Sequence, residues 1–316
     1  MSSYLVTGGA GFIGSHLVEA LLRRGHRVRV VDNLSTGKRD NLAGLPDVEF
    51  LEADCGEPDV AVRAVHGMDY VLHQAAIASV PRSVSDPITS HRANLTATLN
   101  MLAAARDAGV RRLVFAGSSA VYGDAATLPA HEGLPGNPLS PYGLQKLAAE
   151  QYCQMFTQLY GFETVTTRYF NVFGPRQDPG SPYSGVISIF AEAVLDGRHP
   201  TIYGDGEQSR DFTYVSNVVD GVLRACEAPD VAGKVVNLAT GRRVSLNYLM
   251  AAMNRIAGTT LPAIYRDARQ GDIVDSQADI SKARAVLGYA PSVTFEDGLE
   301  RTLAWYRASS RQSVAS

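Results

Sequence analysis

Near the start of the chain stands Thr7-Gly8-Gly9-Ala10-Gly11-Phe12-Ile13-Gly14. Gly9, Gly11 and Gly14 satisfy GxGxxG, and Gly8, Gly11 and Gly14 satisfy GxxGxxG. Glycines so spaced permit a tight turn, close backbone approach to a pyrophosphate and close helix–strand packing. A helix opening there offers free N–H groups and a positive dipole end to phosphates. Asp32 ends the next β-branched run. A carboxylate at that place binds ribose hydroxyls and repels a 2′-phosphate, favouring NAD over NADP. Lys38 and Arg39 stand close by and weaken that preference.

A second group is built for proton transfer. Ser118 and Ser119 follow the fifth predicted strand, and Tyr142 and Lys146 share one face of a predicted helix at i, i+4. A free phenol titrates near 10 and is a poor base at neutral pH. A nearby ammonium, together with a positive nicotinamide ring, would lower it into a useful range. YxxxK alone more often marks a surface pair. Beside a dinucleotide turn and a strand-end serine it marks a catalytic set.

The elements that must position these residues are legible in outline. Strands are predicted at Tyr4–Thr7, Arg27–Asp32, Val48–Ala53, Asp69–His73, Arg112–Ala116 and Glu163–Tyr169, with another possible at Val235–Asn237. Helices alternate with them at Phe12–Arg24, Glu57–Val65, Ile88–Ala108 and Pro141–Tyr160, the last with Ser140 as N-cap. Later helices are predicted at Val186–Asp196, Ser216–Ala228, Leu246–Ala257, Ile280–Leu287 and Phe295–Arg307, and the Ser-rich end Ala308–Ser316 is expected to fray. Alternation of this kind predicts an α/β fold: a doubly wound parallel (Rossmann) sheet with a smaller mixed α/β lobe. The expected division is residues 1–175 for the nucleotide lobe and 176–316 for the second. The chain crosses back over about 205–245.

Composition excludes several classes. The 316 residues are 45% hydrophobic and 19% charged, as in ordinary globular proteins. The formal net charge is −3 without a basic stripe, so no nucleic-acid partner is expected. No apolar run reaches the roughly 18 residues of a membrane span, and Met1-Ser2-Ser3 leads directly into Tyr4-Leu5-Val6 without a signal-peptide pattern. Cys55, Cys153 and Cys226 are far apart, which argues against disulfides and thiolate metal sites. No metal and a cytoplasmic location are expected.

Taken together, these residues resemble the extended short-chain dehydrogenase/reductase superfamily, in its nucleotide-sugar epimerase branch. The resemblance runs from TGGAGFIG through His73-Gln74-Ala75-Ala76, Asn94, Ser118, Tyr142/Lys146 and Arg168-Tyr169-Phe170-Asn171-Val172-Phe173-Gly174-Pro175. It continues through Gly204-Asp205-Gly206, Ser209-Arg210-Asp211-Phe212, Arg269-Gln270-Gly271-Asp272 and Ala278-Asp279-Ile280-Ser281-Lys282-Ala283. It implies NAD held by Gly8, Gly11, Phe12, Ile13, Gly14, Asp32, Asn33, Asp54, Ala75, Ala76, Asn94, Tyr142 and Lys146. It implies Tyr142 as base, Ser118 as its partner at the sugar hydroxyl, and Lys146 on the nicotinamide ribose. A UDP-sugar would meet Ser79, Ser118, Ser119, Asn171, Gln177, Val186, Tyr203, Arg210, Arg269, Asp272 and Ser276. Arg210 and Arg269 would neutralise the diphosphate, since a guanidinium offers a planar donor fork. His73 is expected to make a structural hydrogen bond.

The implied reaction is redox-neutral C4 epimerisation of a UDP-sugar through a 4-keto intermediate, with NAD retained and a homodimer formed through Ile88–Ala108 and Pro141–Tyr160. Dehydratases and decarboxylases of the superfamily carry an acidic residue just after the catalytic hydroxyl. Here Ser119, Ala120 and Val121 follow Ser118. A glucuronate would want a cation near the sugar. Asp178 has the wrong sign, although Arg82 and Arg176 leave that alternative open. Ser276 stands where relatives selective for plain hexoses are bulky, leaving room for an N-acetyl group. The segments Ala78–Ser83 and Arg176–Pro179 also resemble the UDP-N-acetylhexosamine 4-epimerases of bacterial polysaccharide synthesis. The expected substrates are therefore UDP-N-acetylglucosamine and UDP-N-acetylgalactosamine, with UDP-glucose/UDP-galactose second, because one pocket position discriminates by only about 1–3 kcal/mol per methylene. A UDP-glucose 4-epimerase proper, a UDP-glucuronate 4-epimerase, a net dehydrogenase or reductase, a dehydratase and a non-enzymatic NAD-binding protein are the alternatives.

Overall fold

The computed structural model describes residues 1–45, 47–125, 127–178, 185–268 and 273–314, with side chains as far as Ser309. Strands β1 (Ser3–Thr7), β2 (Arg27–Asp32), β3 (Val48–Glu52), β4 (Tyr70–His73), β5 (Arg112–Ser118), β6 (Glu163–Tyr169) and β7 (Lys234–Leu238) form one sheet. Their order is β7-β6-β5-β4-β1-β2-β3, and every pairing is parallel. Because β1 lies between β2 and β4, successive connections leave it in opposite directions. In open α/β sheets such a reversal is where a crevice forms, at the carboxyl ends of the strands.

Side chains alternate between two cores. Tyr4, Val6, Val30, Leu72, Val114 and Val165 face one, and Leu5, Val31, Val71, Leu113 and Phe115 the other. Burial on both faces explains the largely apolar runs of β1, β4 and β5, whereas the edge strand β3, Val48–Glu52, is only partly buried and keeps charged residues. Helices α1 (Phe12–Arg23) and α8 (Val215–Glu227) cover the first face. Helices α2 (Pro58–Val65), α5 (Ala97–Asp107) and α6 (Pro141–Tyr160) cover the second. The first core continues without a break into the remaining lobe, through α7 (Val186–Leu195), α9 (Leu246–Ala257), α10 (Ser281–Leu287) and α11 (Phe295–Val314). Three short ladders complete that lobe: Val172–Phe173 with Thr213–Tyr214, Ser209–Arg210 with Val244–Ser245, and Thr201–Tyr203 with Ile264–Arg266. The chain returns to the sheet with α8 and β7 before closing the lobe.

The long helix expected over Ile88–Ala108 is divided into α4 (Pro87–His91), a π turn at Arg92–Thr96, and α5. The wider turn carries Asn94, whose side chain leaves the helix to bind the backbone of Ile77. Another short helix, α3 (Val80–Ser85), was not expected. Ser79 Oγ caps it by accepting from Arg82 N at 3.1 Å, and Asp86 caps the next by accepting from Thr89 N at 3.1 Å. Helix α11 runs to Val314, past the expected fraying point, since Ala308, Arg311 and Gln312 favour helix over coil. Helix α6 has the anticipated ends: Ser140 Oγ accepts from Gly143 N at 3.1 Å, and Gly161 turns left-handed at φ 66°. All three cysteines are buried and free. Among the described residues no helix is long and apolar enough to cross a membrane, and no acidic, His or Cys cluster fits a metal ion.

Arg112 joins the two halves of the fold. Its Nη1 donates to the carbonyls of Ala225, Cys226 and Ala228 at the end of α8, and its Nε donates to Glu163 at 2.8 Å. Arg112→Ala leaves those helix-end carbonyls buried without donors. It is expected to lower unfolding free energy by about 2–4 kcal/mol, read as a lower denaturation midpoint with an unchanged m-value.

Candidate active site

The glycine turn leaves β1 at the crevice. Gly8 has φ +65°, and a Cβ on it would lie 2.9 Å from the backbone of Ala75. A Cβ on Gly14 would lie 2.1 Å from the Gly8 carbonyl. No side chain caps α1 at Gly11, so its leading N–H groups at Phe12 and Ile13 face the crevice mouth. Thr7 Oγ1 accepts the N–H groups of Gln74 and Ala75 at 3.1 Å, setting the Ala75–Ala76 wall beside the turn.

Asp32 ends β2 with both oxygens in use: Oδ2 accepts from Ala10 N at 2.9 Å and Oδ1 from Leu34 N at 2.8 Å. Burial raises its pKa while those two bonds oppose the rise. It therefore braces the turn and keeps lone pairs for a ribose. Asn33 Nδ2 donates to Asp54 Oδ2 at 3.2 Å beside it. Lys38 pairs with Asp178 at 3.0 Å and Arg39 with Glu52 at 3.2 Å. Neither of the two cations that weakened the preference for NAD stands idle for a 2′-phosphate.

The catalytic set assembles at the ends of β5 and α6. Ser118 closes β5, and Ser119 begins the short turn that follows. Burial raises the Tyr142 phenol pKa, and the neighbouring Ser118 side chain opposes that rise without cancelling it. Lys146 is 3% exposed, and its Nζ donates to Ala116 O at 2.9 Å. Its Nζ lies 6.0 Å from the Tyr142 ring centre, so the expected depression of the phenol by Lys146 is absent in the protein by itself. Burial lowers the Lys146 pKa to about 8. Ala116 O is its one hydrogen-bond acceptor among the described residues. Two ammonium donors are left for hydroxyls of a bound ribose.

His73 is structural, as its position indicated. Its ring bridges Thr7 Oγ1 at 2.8 Å and Thr98 Oγ1 at 3.1 Å, and burial drives its pKa to about 3. Asn94 points at protein, with Ile77 and Gln145 as partners.

A cavity of about 900 Å³ opens in the second lobe. Asn171, Gln177, Val186, Tyr203 and Arg210 all line it. Phe190 and Phe212 give it an apolar side, and the amide oxygens of Gln177 and Gln208 are buried without partners among the described residues. Arg210 donates to the carbonyls of Ser209, Ile273 and Val274, which hold its guanidinium at the rim. Asn171 sits at φ 36° with Nδ2 toward Asp211 O at 3.5 Å. Ser276 is half-buried just behind the lining residue Asp275, and its N–H donates to Ser209 O at 3.0 Å. Ser79 is spent on its cap. Arg269 and Asp272 lie outside the described residues. Thr7 and Phe212 lie in motifs read from the sequence without a role assigned to them, and the cavity's Phe190 and Gln208 were not singled out. Thr7 lies inside the recognised motif, but its role depends on the pairing that sets it opposite His73. The cavity residues carry no spacing signal.

Residues 4–239 match the NAD dependent epimerase/dehydratase family. The chain is 40% identical over 309 residues to a putative UDP-glucose 4-epimerase of Methanocaldococcus jannaschii, covering 97% of this chain and 99% of that one. Among solved structures, a UDP-N-acetylglucosamine 4-epimerase from Methanobrevibacter ruminantium M1, in complex with UDP-N-acetylmuramic acid, superposes with a TM-score of 0.94. It is 38% identical and covers 98% of this chain and 99% of its own. The Thermus thermophilus UDP-glucose 4-epimerase in complex with NAD superposes with a TM-score of 0.89, at 39% identity over 96% of this chain and 99% of its own.

Lys146 supplies a test of the geometry. In NAD-free protein, both folded and unfolded chains hold its proton below about pH 8. Above that, the folded chain releases it while the unfolded chain keeps it to about 10.5, so stability rises with pH across that window. Relative to Lys146→Met, the parent should gain up to about 3 kcal/mol between these pH values, measured by urea unfolding at each pH.

Proposed function

The chain belongs to the NAD-dependent epimerase/dehydratase family, and from that premise we propose that it epimerises UDP-sugars at C4, with UDP-N-acetylglucosamine and UDP-N-acetylgalactosamine as its principal pair. The observation that carries the reading is the placement of Ser118, Tyr142 and Lys146 at the crevice, with the Asn171–Arg210 cavity in the adjoining lobe.

The glycine turn, the α1 N-terminus, Asp32 and Lys146 are the residues that hold NAD. When bound, NAD supplies a reversible hydride acceptor at C4. Tyr142 would take the proton of the C4 hydroxyl and return it to the same oxygen once the sugar has turned and the hydride has come back to the other face of C4, and Ser118 would orient that oxygen. The raised phenol pKa in the protein alone means that the bound positive ring, with Lys146 relayed through the ribose, must bring Tyr142 into range. Arg210 and the cavity anchor the nucleotide diphosphate, so the 4-keto sugar can turn about its link.

The choice of sugar rests on side-chain size and charge. Ser276 adjoins the lining residue Asp275 without lining the cavity itself, and its small side chain adds no bulk behind that wall. Arg176 has its charge balanced by Glu19 at 2.8 Å, although its Nη1 has no partner among the described residues, so the uronate stays as an arm of the substrate test. No acidic residue follows Ser118 to assist elimination. UDP-glucose/UDP-galactose conversion is the expected slower reaction.

The assembly we infer is a homodimer. Ile88 on α4 and Leu144, Met155 and Leu159 on α6 are all exposed, and the last three share one helix face. Light scattering coupled to size exclusion should give twice the 33.8 kDa chain mass. A monomeric mass at micromolar protein overturns this.

The function is tested by incubating purified protein with UDP-N-acetylglucosamine, without added NAD, and following the anomeric protons by NMR. A growing UDP-N-acetylgalactosamine signal is expected, and Tyr142→Phe should slow it by about 10²–10⁴-fold while leaving the fold intact. No conversion even with NAD supplied would overturn the acetylated-sugar reading. UDP-glucose and UDP-glucuronate in the same assay then decide among the remaining substrates.

A further inference from the structure

The wall along which the cofactor must lie, Ala75 to Ile77, belongs to no strand or helix. Two side chains hold it: Thr7 at its start and Asn94 at its end. Asn94 takes both backbone groups of Ile77, accepting its N–H at 2.7 Å and donating to its carbonyl at 3.2 Å. Asn94 Nδ2 also donates to Gln145 Oε1 at 2.8 Å. The same oxygen accepts from Ser90 Oγ at 2.8 Å.

Gln145 is 5% exposed and immediately precedes Lys146 on α6. It stands three residues after Tyr142, so it shares their helix turn. A single carbonyl oxygen thus ties the catalytic helix to the helical segment carrying Ser90 and Asn94, and through Asn94 to the cofactor wall. The chain of bonds continues inward. Asn94 O accepts from Thr98 Oγ1 at 2.6 Å, Thr98 contacts His73 at 3.1 Å, and His73 contacts Thr7 at 2.8 Å. Thr7 leads into the glycine turn. The clasp closes a loop around the crevice, from the floor under the phosphates to the residue beside Lys146.

We propose that Gln145 is a positioning residue: its Oε1, by accepting from Ser90 and Asn94, fixes the separation between the Tyr142/Lys146 face of α6 and the Ala75–Ile77 wall. The role needs only an acceptor. A carboxylate serves as well as an amide oxygen, whereas a thioether of similar length does not. The cavity that holds the nucleotide lies in the other lobe, away from the clasp. Loss of the clasp therefore acts on cofactor affinity and on kcat, and not on sugar-nucleotide KM. The inference rests on the proposed epimerase reading for its kinetic arm alone. NADH affinity reports on the clasp whatever the sugar substrate proves to be.

The test compares Gln145→Met, Gln145→Glu and the parent protein by thermal unfolding, by NADH fluorescence titration and by UDP-sugar kinetics. Gln145→Met should fold, bind NADH about tenfold more weakly and lose about tenfold or more in kcat at unchanged KM, since small misplacements of reacting groups carry large rate losses. Gln145→Glu should restore both. Parental NADH affinity and kcat in Gln145→Met overturn the proposal, as does a Gln145→Glu protein as impaired as Gln145→Met. If Gln145→Met does not fold, Asn94→Asp takes its place: it still accepts from Ile77 N but no longer donates to Gln145. Unaltered NADH affinity in that variant likewise overturns the role.

Discussion

Gly8 and Ala75 touch backbone to backbone where β1 and β4 end, and the rest of the site depends on that approach. A Cβ on Gly8 would lie 2.9 Å from Ala75, and one on Gly14 would strike the Gly8 carbonyl. With those side chains absent, β1 can turn sharply and hand over to α1, which packs over β1 and β2. The helix N-terminus and the Ala75 wall then flank a single narrow crevice. Asp32 fixes the far side by accepting Ala10 N from the turn itself. The same carboxylate therefore sets the shape of the phosphate cradle and marks the ribose end of it.

The two lobes solve different problems. Around the crevice several polar side chains are tied to protein, His73 to two threonines, Asn94 to Ile77 and Ser79 to a helix cap, while Gln74 Nε2 and two of the Lys146 donors have no hydrogen-bond partner among the described residues. Such closed networks hold a rigid frame. The cavity lobe leaves acceptors unspent at Gln177 and Gln208 and mixes them with Phe190 and Phe212. A rigid cofactor frame and an accommodating substrate wall are what a reversible transfer at one carbon requires, because the sugar must present both faces to one fixed group. The continuous apolar core beneath both lobes keeps them in register, with Arg112 bolting the end of α8 to the sheet.

How far this was legible in the sequence follows from which interactions are local. The glycine turn, Asp32 and the Tyr142/Lys146 spacing each lie within one element or one βαβ unit, and each took its predicted place. Ser140 and Gly161 bounded α6 because caps are set by neighbours in sequence. The break in the Ile88–Ala108 helix was not legible. It depends on Asn94 meeting Ile77, whose position only the folded sheet defines. Helix α3 was not legible because Pro81 between β-branched residues, in a run of six closed by Asp86 and Pro87, does not read as helix until Ser79 caps it. The direction of the Tyr142 pKa also differed. Spacing put a cation on the right helix face, but the Lys146 ammonium turns to Ala116 O, and burial outweighs the rest.

That last difference bears on how this chain would hold NAD. Lys146 is held almost fully buried with Ala116 O as its one hydrogen-bond acceptor among the described residues, and its pKa falls to about 8. A buried ammonium with spare donors is unfavourable in the empty protein. Ribose hydroxyls placed against it would satisfy those donors and favour the charged form again, so binding and protonation reinforce each other. The same event brings a positive ring toward Tyr142, whose phenol the protein by itself holds too high to act as a base. Cofactor affinity and base strength are thus coupled through one lysine. A family chemistry that returns its hydride to the sugar needs a firmly held cofactor, because a cofactor released in mid-cycle would carry that hydride away with it.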